Sequence, residues 1–215
     1  IIKRLKKKYS INIQSLTGDH FMQKPFWKVS NNFQLLNDFK NLIISCKKLK
    51  IKYIIIPLVD NGSLKNKKEE LYFISICKKL SNFIKKNKVQ IIFESDYPPL
   101  KLKNFIKKLD KRLFGINYDS GNSASLNYDV DNEFKLYGKR ILNVHIKDRK
   151  KYGKTVRLGQ GNANLKKLFK NLKNINYKGN LILQTARSKN NKDIDEIKIN
   201  LEYLKNLTKR LNVQQ

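Results

Sequence analysis

The sequence predicts a parallel α/β fold that closes into a (β/α)8 barrel, and three observations predict it. Short β-branched runs alternate with longer amphipathic stretches along all 215 residues, the order that sets parallel strands among covering helices. The strand runs are apolar almost throughout, as in Ile54-Ile55-Ile56 and Ile91-Ile92-Phe93, which fits strands buried on both faces. Polar residues then stand at the C-terminal end of one run after another, and in a barrel those ends converge on a single mouth. An open dinucleotide-binding sheet would usually show a Gly-rich turn after its first strand, and the chain has no G-x-G-x-x-G.

In chain order, the first strand is expected at residues 11–16, with Asp19 and His20 after it. A loop carrying F-M-Q-K-P-F-W (21–27) leads to a helix in which Phe33, Leu36, Phe39, Ile43 and Cys46 recur at spacings of three and four. The second strand, 53–59, ends at Asp60, and the third, 89–94, ends on Glu94. The fourth, 113–118, runs into Asp119. The fifth, 141–147, carries His145 and Lys147, and the sixth, 180–184, brings Gln184 and then Arg187. A last helix repeats Ile194, Ile197, Leu201, Leu204 and Leu207 at helical spacing, with Lys and Asn on its other face. Six strands are two short of eight, and the chain opens at Ile1 without a Met. The expectation is one domain over 1–215 with six of eight βα units present and the first two missing. Such a sheet exposes two strand edges, which favours a homodimer.

A hydrophobic content of 40% fits a globular chain with a sizeable core rather than a disordered one. No apolar run approaches the roughly 20 residues that span a bilayer, and no secretory pattern opens the chain. No membrane partner is expected, and the expected location is cytoplasmic. Cys46 and Cys77 sit in Lys-rich helical stretches without metal-ligand spacing and read as free thiols in a reducing compartment. The net charge of +30 raises the question of a nucleic-acid partner. Its 47 basic residues comprise 40 Lys and only 7 Arg, spread over every helix. Base readout and bidentate phosphate clamps favour Arg, so solvated helix faces account for the charge and no specific nucleic acid is expected.

Four segments end predicted strands with metal-ligating or hydrogen-bonding side chains: I-I-F-E-S-D (91–96), I-N-Y-D-S-G-N (116–122), V-H-I-K-D-R (144–149) and L-I-L-Q-T-A-R (181–187). Glu94 and Asp119 offer carboxylate oxygens, His145 an imidazole and Gln184 an amide oxygen. That set suits one divalent ion, Mn²⁺, Mg²⁺, Co²⁺ or Zn²⁺. Each residue also has a plainer reading. Asp119 before Ser-Gly-Asn can cap a helix, and a lone His beside a strand is often a satisfied core residue. Arg149 and Arg187 can clamp a phosphate or carboxylate, or Arg149 can pair with Asp148. His20 and Asp60 can contact substrate hydroxyls. Trp27 can cover a sugar ring or pack in the core. Gly159 and Gly161 shape a turn whose N–H groups can also receive an anion.

The stretches N-V-H-I-K-D-R (143–149), T-V-R-L-G-Q-G-N-A-N (155–164) and Y-K-G-N-L-I-L-Q-T-A-R (177–187) resemble the xylose-isomerase-like TIM barrel superfamily, in its sugar phosphate isomerase/epimerase branch. The resemblance runs over nearly the whole chain. It implies one divalent metal held by Glu, Asp, His and Glu on strands five to eight of the barrel. Glu94, Asp119 and His145 match the first three positions, and the fourth falls on Gln184. Gln184 offers an oxygen but no base, so the two-base epimerisation of such relatives gives way to isomerisation with Glu94 as the one general base. Asn122 is a second departure, since many relatives carry His there. Lys147, Arg149, Arg187, His20, Asp60 and Asn122 are the residues expected to meet substrate.

The function expected is a metal-dependent isomerase or epimerase of a small sugar or sugar phosphate. One alternative is an AP-endonuclease-like nuclease of the same superfold, favoured by the basic charge and opposed by the two His in the chain. The other is a non-catalytic sugar-binding barrel, made plausible by Gln184.

Overall fold

The computed structural model describes residues 1–188 and 190–211. In chain order the elements are α1 (Ile2–Lys8), β1 (Ser15–Thr17), α2 (Asp19–Gln23), α3 (Phe33–Leu49), β2 (Tyr53–Leu58), α4 (Lys67–Asn87), β3 (Gln90–Ser95), α5 (Pro99–Ile106), β4 (Phe114–Asp119), α6 (Ser120–Ser125), α7 (Val130–Tyr137), β5 (Ile141–Ile146), β6 (Asp148–Arg149), β7 (Thr155–Val156), α8 (Leu165–Asn174), β8 (Leu181–Leu183) and α9 (Asp193–Arg210). Six strands form one sheet in the order β1-β2-β3-β4-β5-β8, with parallel pairing, while β6 and β7 pair antiparallel as a separate ribbon. The chain packs as two compact units, Ile1–Ser95 with Asn104–Ile116, and Asp96–Lys103 with the residues from Asn117 onward. Among the described residues no helix is long and apolar enough to cross a membrane.

In the first unit, the continuous apolar runs become central strands. All six residues of β2 are buried, as are the four inner residues of β3, and Ile54 pairs with Ile91, Ile55 with Ile92 and Ile56 with Phe93. The covering layer is aromatic. Phe26, Phe39, Phe73, Phe93, Phe105 and Phe114 touch ring to ring, and such pairs add to the gain from burial alone. Trp27 is a member of this cluster, 2% exposed and 4.8 Å from the Phe73 ring; it is a core residue, not a cover. α4 starts on a reciprocal cap: Asn66 Oδ1 accepts from the Glu69 N–H, and Glu69 accepts from the Lys65 N–H. Lys50 and Lys88 follow α3 and α4 in the left-handed region (φ 57° and 55°), a place where glycine is the usual signal. Cys46 and Cys77 are buried and free, and burial pushes the Cys46 thiol up to about 11.

β1 is three residues long and lies later than the expected 11–16. Residues 11–14 are unpaired as strand because the ladder starts only where β2 starts, at Ser15 opposite Tyr53, and an edge strand has one neighbour to extend it. α2 starts at Asp19 directly after β1 and runs to Gln23, into the segment the sequence predicts as a loop over 21–27.

In the second unit, β5 is buried at all but one position, and α8 lays Leu165, Leu168, Phe169 and Leu172 inward after a cap from Asn164 to the Lys167 N–H. α9 buries a different face from the one its apolar spacing predicts. Leu204 and Leu207 are buried together with Asn200 and Thr208, while Ile194, Ile197 and Leu201 are exposed. Two polar ties rotate it: the Leu158 N–H donates to Asn200 Oδ1 at 2.9 Å, and Arg157 forks onto Glu196.

Candidate metal centre

Asp119 ends β4 and caps α6, its Oδ1 accepting from the Asn122 N–H at 2.8 Å. The small residues that follow let a helix begin directly at the strand end. A Cβ on Gly121 would lie 2.5 Å from Lys147 Cγ, so only glycine admits that side chain alongside. Asp119 Oδ2 is directed differently, 3.9 Å from His145 Nδ1 and 3.5 Å from Lys147 Nζ. The cap and the ligand readings of Asp119 therefore do not compete, because separate oxygens serve them.

His145 lies near the end of β5 and is 4% exposed. Beneath it are two residues that the sequence reading passed over. Asn143, fully buried, donates from Nδ2 to Asn117 Oδ1 at 2.7 Å, and Asn117 Nδ2 lies 3.1 Å from His145 Nδ1. Asn117 precedes Asp119 by two, and Asn143 precedes His145 by two, so the pleat puts each amide on the same face as its neighbour. The sequence holds N-x-D and N-x-H there, a pattern that names no partner until the two strands are known to be neighbours. Amides in this position orient an imidazole, as partners behind a ligating His do.

Lys147 is clamped through its backbone by Ser120, whose Oγ accepts from the Lys147 N–H (2.9 Å) and donates to the Lys147 carbonyl (2.7 Å). Its ammonium donates to Gln184 Oε1 at 3.1 Å. Gln184 follows β8, its own N–H continuing the ladder to Ile146 O, and its side chain is exposed.

Glu94 lies on β3 and is buried. It ends a buried run of the first unit, while Asp119 and His145 stand together in the second, carboxylate oxygen and imidazole nitrogen 3.9 Å apart. Carboxylate oxygens and an imidazole are donors that fit Mn²⁺, Mg²⁺, Co²⁺ or Zn²⁺. His20 and Asp60 belong to the first unit and are exposed, His20 on α2 and Asp60 at φ 50° where a short 3₁₀ turn begins.

The Leu-Gly-x-Gly turn holds a carboxylate of the chain itself. Asp148, 1% exposed, accepts from the N–H groups of Gly159, Gly161 and Ala163, each at 2.9 Å. Those donors are thus satisfied internally, by a side chain of the chain rather than by an outside anion. Arg149 does not pair with Asp148; it donates to the Gly153 carbonyl and to Asn122 Oδ1. Arg187 is exposed beyond β8.

The sequence profile of the xylose isomerase-like TIM barrel family matches residues 2–207. The chain belongs to that family. A search of curated proteins finds no match. Among solved structures, the xylose isomerase-like chain is similar to the xylose isomerase domain protein of Planctomyces limnophilus, with a TM-score of 0.74 and 15% identity over 86% of this chain and 70% of that one. It is similar to a D-tagatose 3-epimerase-like protein, with a TM-score of 0.73 and 18% identity over 98% and 84%. It is also similar to the IolI protein with a bound zinc atom, with a TM-score of 0.70 and 15% identity over 97% and 92%. At these identities the likeness is one of fold.

Proposed function

We propose that the chain is a metal-dependent isomerase or epimerase of a small sugar or sugar phosphate, transferring a proton at a carbon next to a carbonyl. The observation that carries this reading is the buried pair of Asp119 and His145 at adjoining strand ends, 3.9 Å apart, to which the reading adds Glu94 as the third ligand. The zinc of the IolI protein and the name of the epimerase-like neighbour support it at the level of the family. A divalent ion in such a site polarises a sugar carbonyl or hydroxyl oxygen, so that the adjacent C–H becomes acidic.

The chain's own residues then have distinct tasks. Asp119 Oδ2 and the His145 imidazole hold one side of the site, and Asn122 and Asn117 fix their orientation by hydrogen bonds. Glu94 takes the proton from the reacting carbon and returns it to the neighbouring one. Gln184 contributes an oxygen but accepts no proton, which favours a single base shuttling between C1 and C2. Lys147, Arg149, Arg187, His20, Asp60 and Asn122 are assigned to the substrate. Two buried free thiols support assigning it to a reducing, cytoplasmic setting.

Purified protein should interconvert a ketose and an aldose only with Mn²⁺ or Co²⁺ present, and Glu94→Gln should lower turnover by about 10²–10⁴, the range for losing a general base. If no divalent metal binds and Glu94→Gln leaves turnover as it was, the reading fails. Sugar binding without catalysis is the second reading, favoured by the hold of Lys147 on Gln184 at the place where relatives carry a second carboxylate. Ligand binding that persists in chelator, with no turnover under any metal, selects it.

A further inference from the structure

We propose that Lys147 is a resident cation of the site, competing with the metal ion for Asp119. The inference rests on the metal-dependent reading above and concerns a residue of the chain itself. Asp119 has a side chain 1% exposed, and a carboxylate taken so far from water requires a positive partner. Lys147 supplies one, its ammonium 3.5 Å from Oδ2 and its side chain only 16% exposed.

The placement is built rather than incidental. Ser120 clamps the Lys147 backbone from both sides. Gly121 removes the Cβ that would collide with the Lys147 stem. Gln184 accepts one ammonium hydrogen at 3.1 Å, and being neutral it adds no charge. The ammonium thus offsets the charge of Asp119, with Gln184 as a hook on its exposed side. A glutamate at 184 would instead share that ammonium between two carboxylates and strengthen the pull on a metal.

A divalent ion on Asp119 Oδ2 would bind at about 2.0–2.2 Å, which sets it against an ammonium already on the same oxygen. At such separations like charges in a partly buried site repel strongly. Metal entry thus requires the ammonium to swing away from Oδ2, pivoting on a stem that stays packed on Gly121. Metal affinity is lowered by the cost of that displacement, and the metal-free site is kept folded in the meantime.

The test is calorimetric titration of Mn²⁺, with no substrate, into wild type and Lys147→Met, Lys147→Gln, Lys147→Arg and Asp119→Asn variants. Competition by charge predicts that the Met and Gln variants bind Mn²⁺ at least tenfold more tightly, that Arg binds no more tightly than wild type, and that Asp119→Asn abolishes binding. Thermal melts in chelator should show the Met and Gln variants losing stability that Mn²⁺ restores. Two neutral replacements guard against one that fails to fold. Unchanged or weaker affinity in both neutral variants overturns the competition while leaving the metal site standing, and so does an equal gain with Arg. No Mn²⁺ binding by any of them, wild type included, overturns the metal reading and the competition together.

Discussion

The carboxylate of Asp148 collects three backbone N–H groups from a turn of five residues, and that geometry explains why two glycines stand in it. Gly159 adopts φ +84°, the left-handed region that other residues enter at a cost. At Gly161 the limit is space: a Cβ there would run into Asp148 Oδ1. Gly161→Ala should cost about 1–3 kcal/mol through forced displacement of the turn, and Asp148→Asn about as much, by presenting an amide NH₂ to donors that need an acceptor. Urea denaturation measures both, and a midpoint unchanged in either variant would contradict this account. The sequence marked Gly159, Gly161 and Asp148 as neighbours of interest but not as partners. Spacing within a segment reveals turn chemistry, whereas the acceptor for a turn's donors comes from a residue more than ten positions away. For the same reason Glu94, Asp119 and His145 stand out in the sequence as candidates, each ending its own apolar run, while the amides of Asn117 and Asn143 do not. Asn within a strand carries no ligand signal until the strand beside it is known.

At the scale of elements, β4, α6 and α7 are tied by one acid. Glu133 of α7 is 3% exposed and accepts from the hydroxyls of Tyr118, Ser123 and Tyr137. Burial lifts its carboxyl above the usual value, and the three hydroxyl donors oppose that shift only in part. A raised folded value means that the native chain keeps this proton to higher pH than the unfolded chain does. The stability it confers is complete below the ordinary glutamate value of about 4.3 and declines as pH rises through the folded one. Glu133→Gln, which has no proton to lose, should therefore gain on wild type as pH rises from the ordinary glutamate value of about 4.3 through the raised folded one. A stability difference that stays constant over that interval would dismiss the effect. The strands of the sheet were legible to within a residue or two from β2 to β8, because burial on both faces leaves an unbroken apolar run. The exceptions have physical reasons. β1 has a neighbour on one side only, β6 and β7 are two residues each and too short for any period, and α9 is turned by Asn200 and Arg157 more than by its own apolar stripe.

For the whole molecule the dominant quantity is a charge of +30, carried mostly by Lys. Exposed lysines attract any polyanion by releasing counterions, and that attraction falls steeply with salt. The protein should be retained on heparin at low ionic strength and lose at least tenfold in affinity between about 50 and 200 mM salt. Duplex DNA with and without an abasic site should bind equally and remain uncut. Metal-dependent incision confined to the abasic DNA would restore the nuclease reading and displace the sugar chemistry proposed above.

The divided carboxylate of Asp119 has a consequence for how such a protein can change over generations. One oxygen holds the start of α6 and the other serves the site. On the proposed function, a codon change there would be felt on two separate counts, folding and metal binding. A lineage that gave up catalysis would still keep a capping residue at 119, where Asn or Ser serves helix α6 about as well as Asp. A cap at 119 in a descendant chain testifies to an intact scaffold, and it is the second oxygen of an aspartate there that bears on the proposed activity.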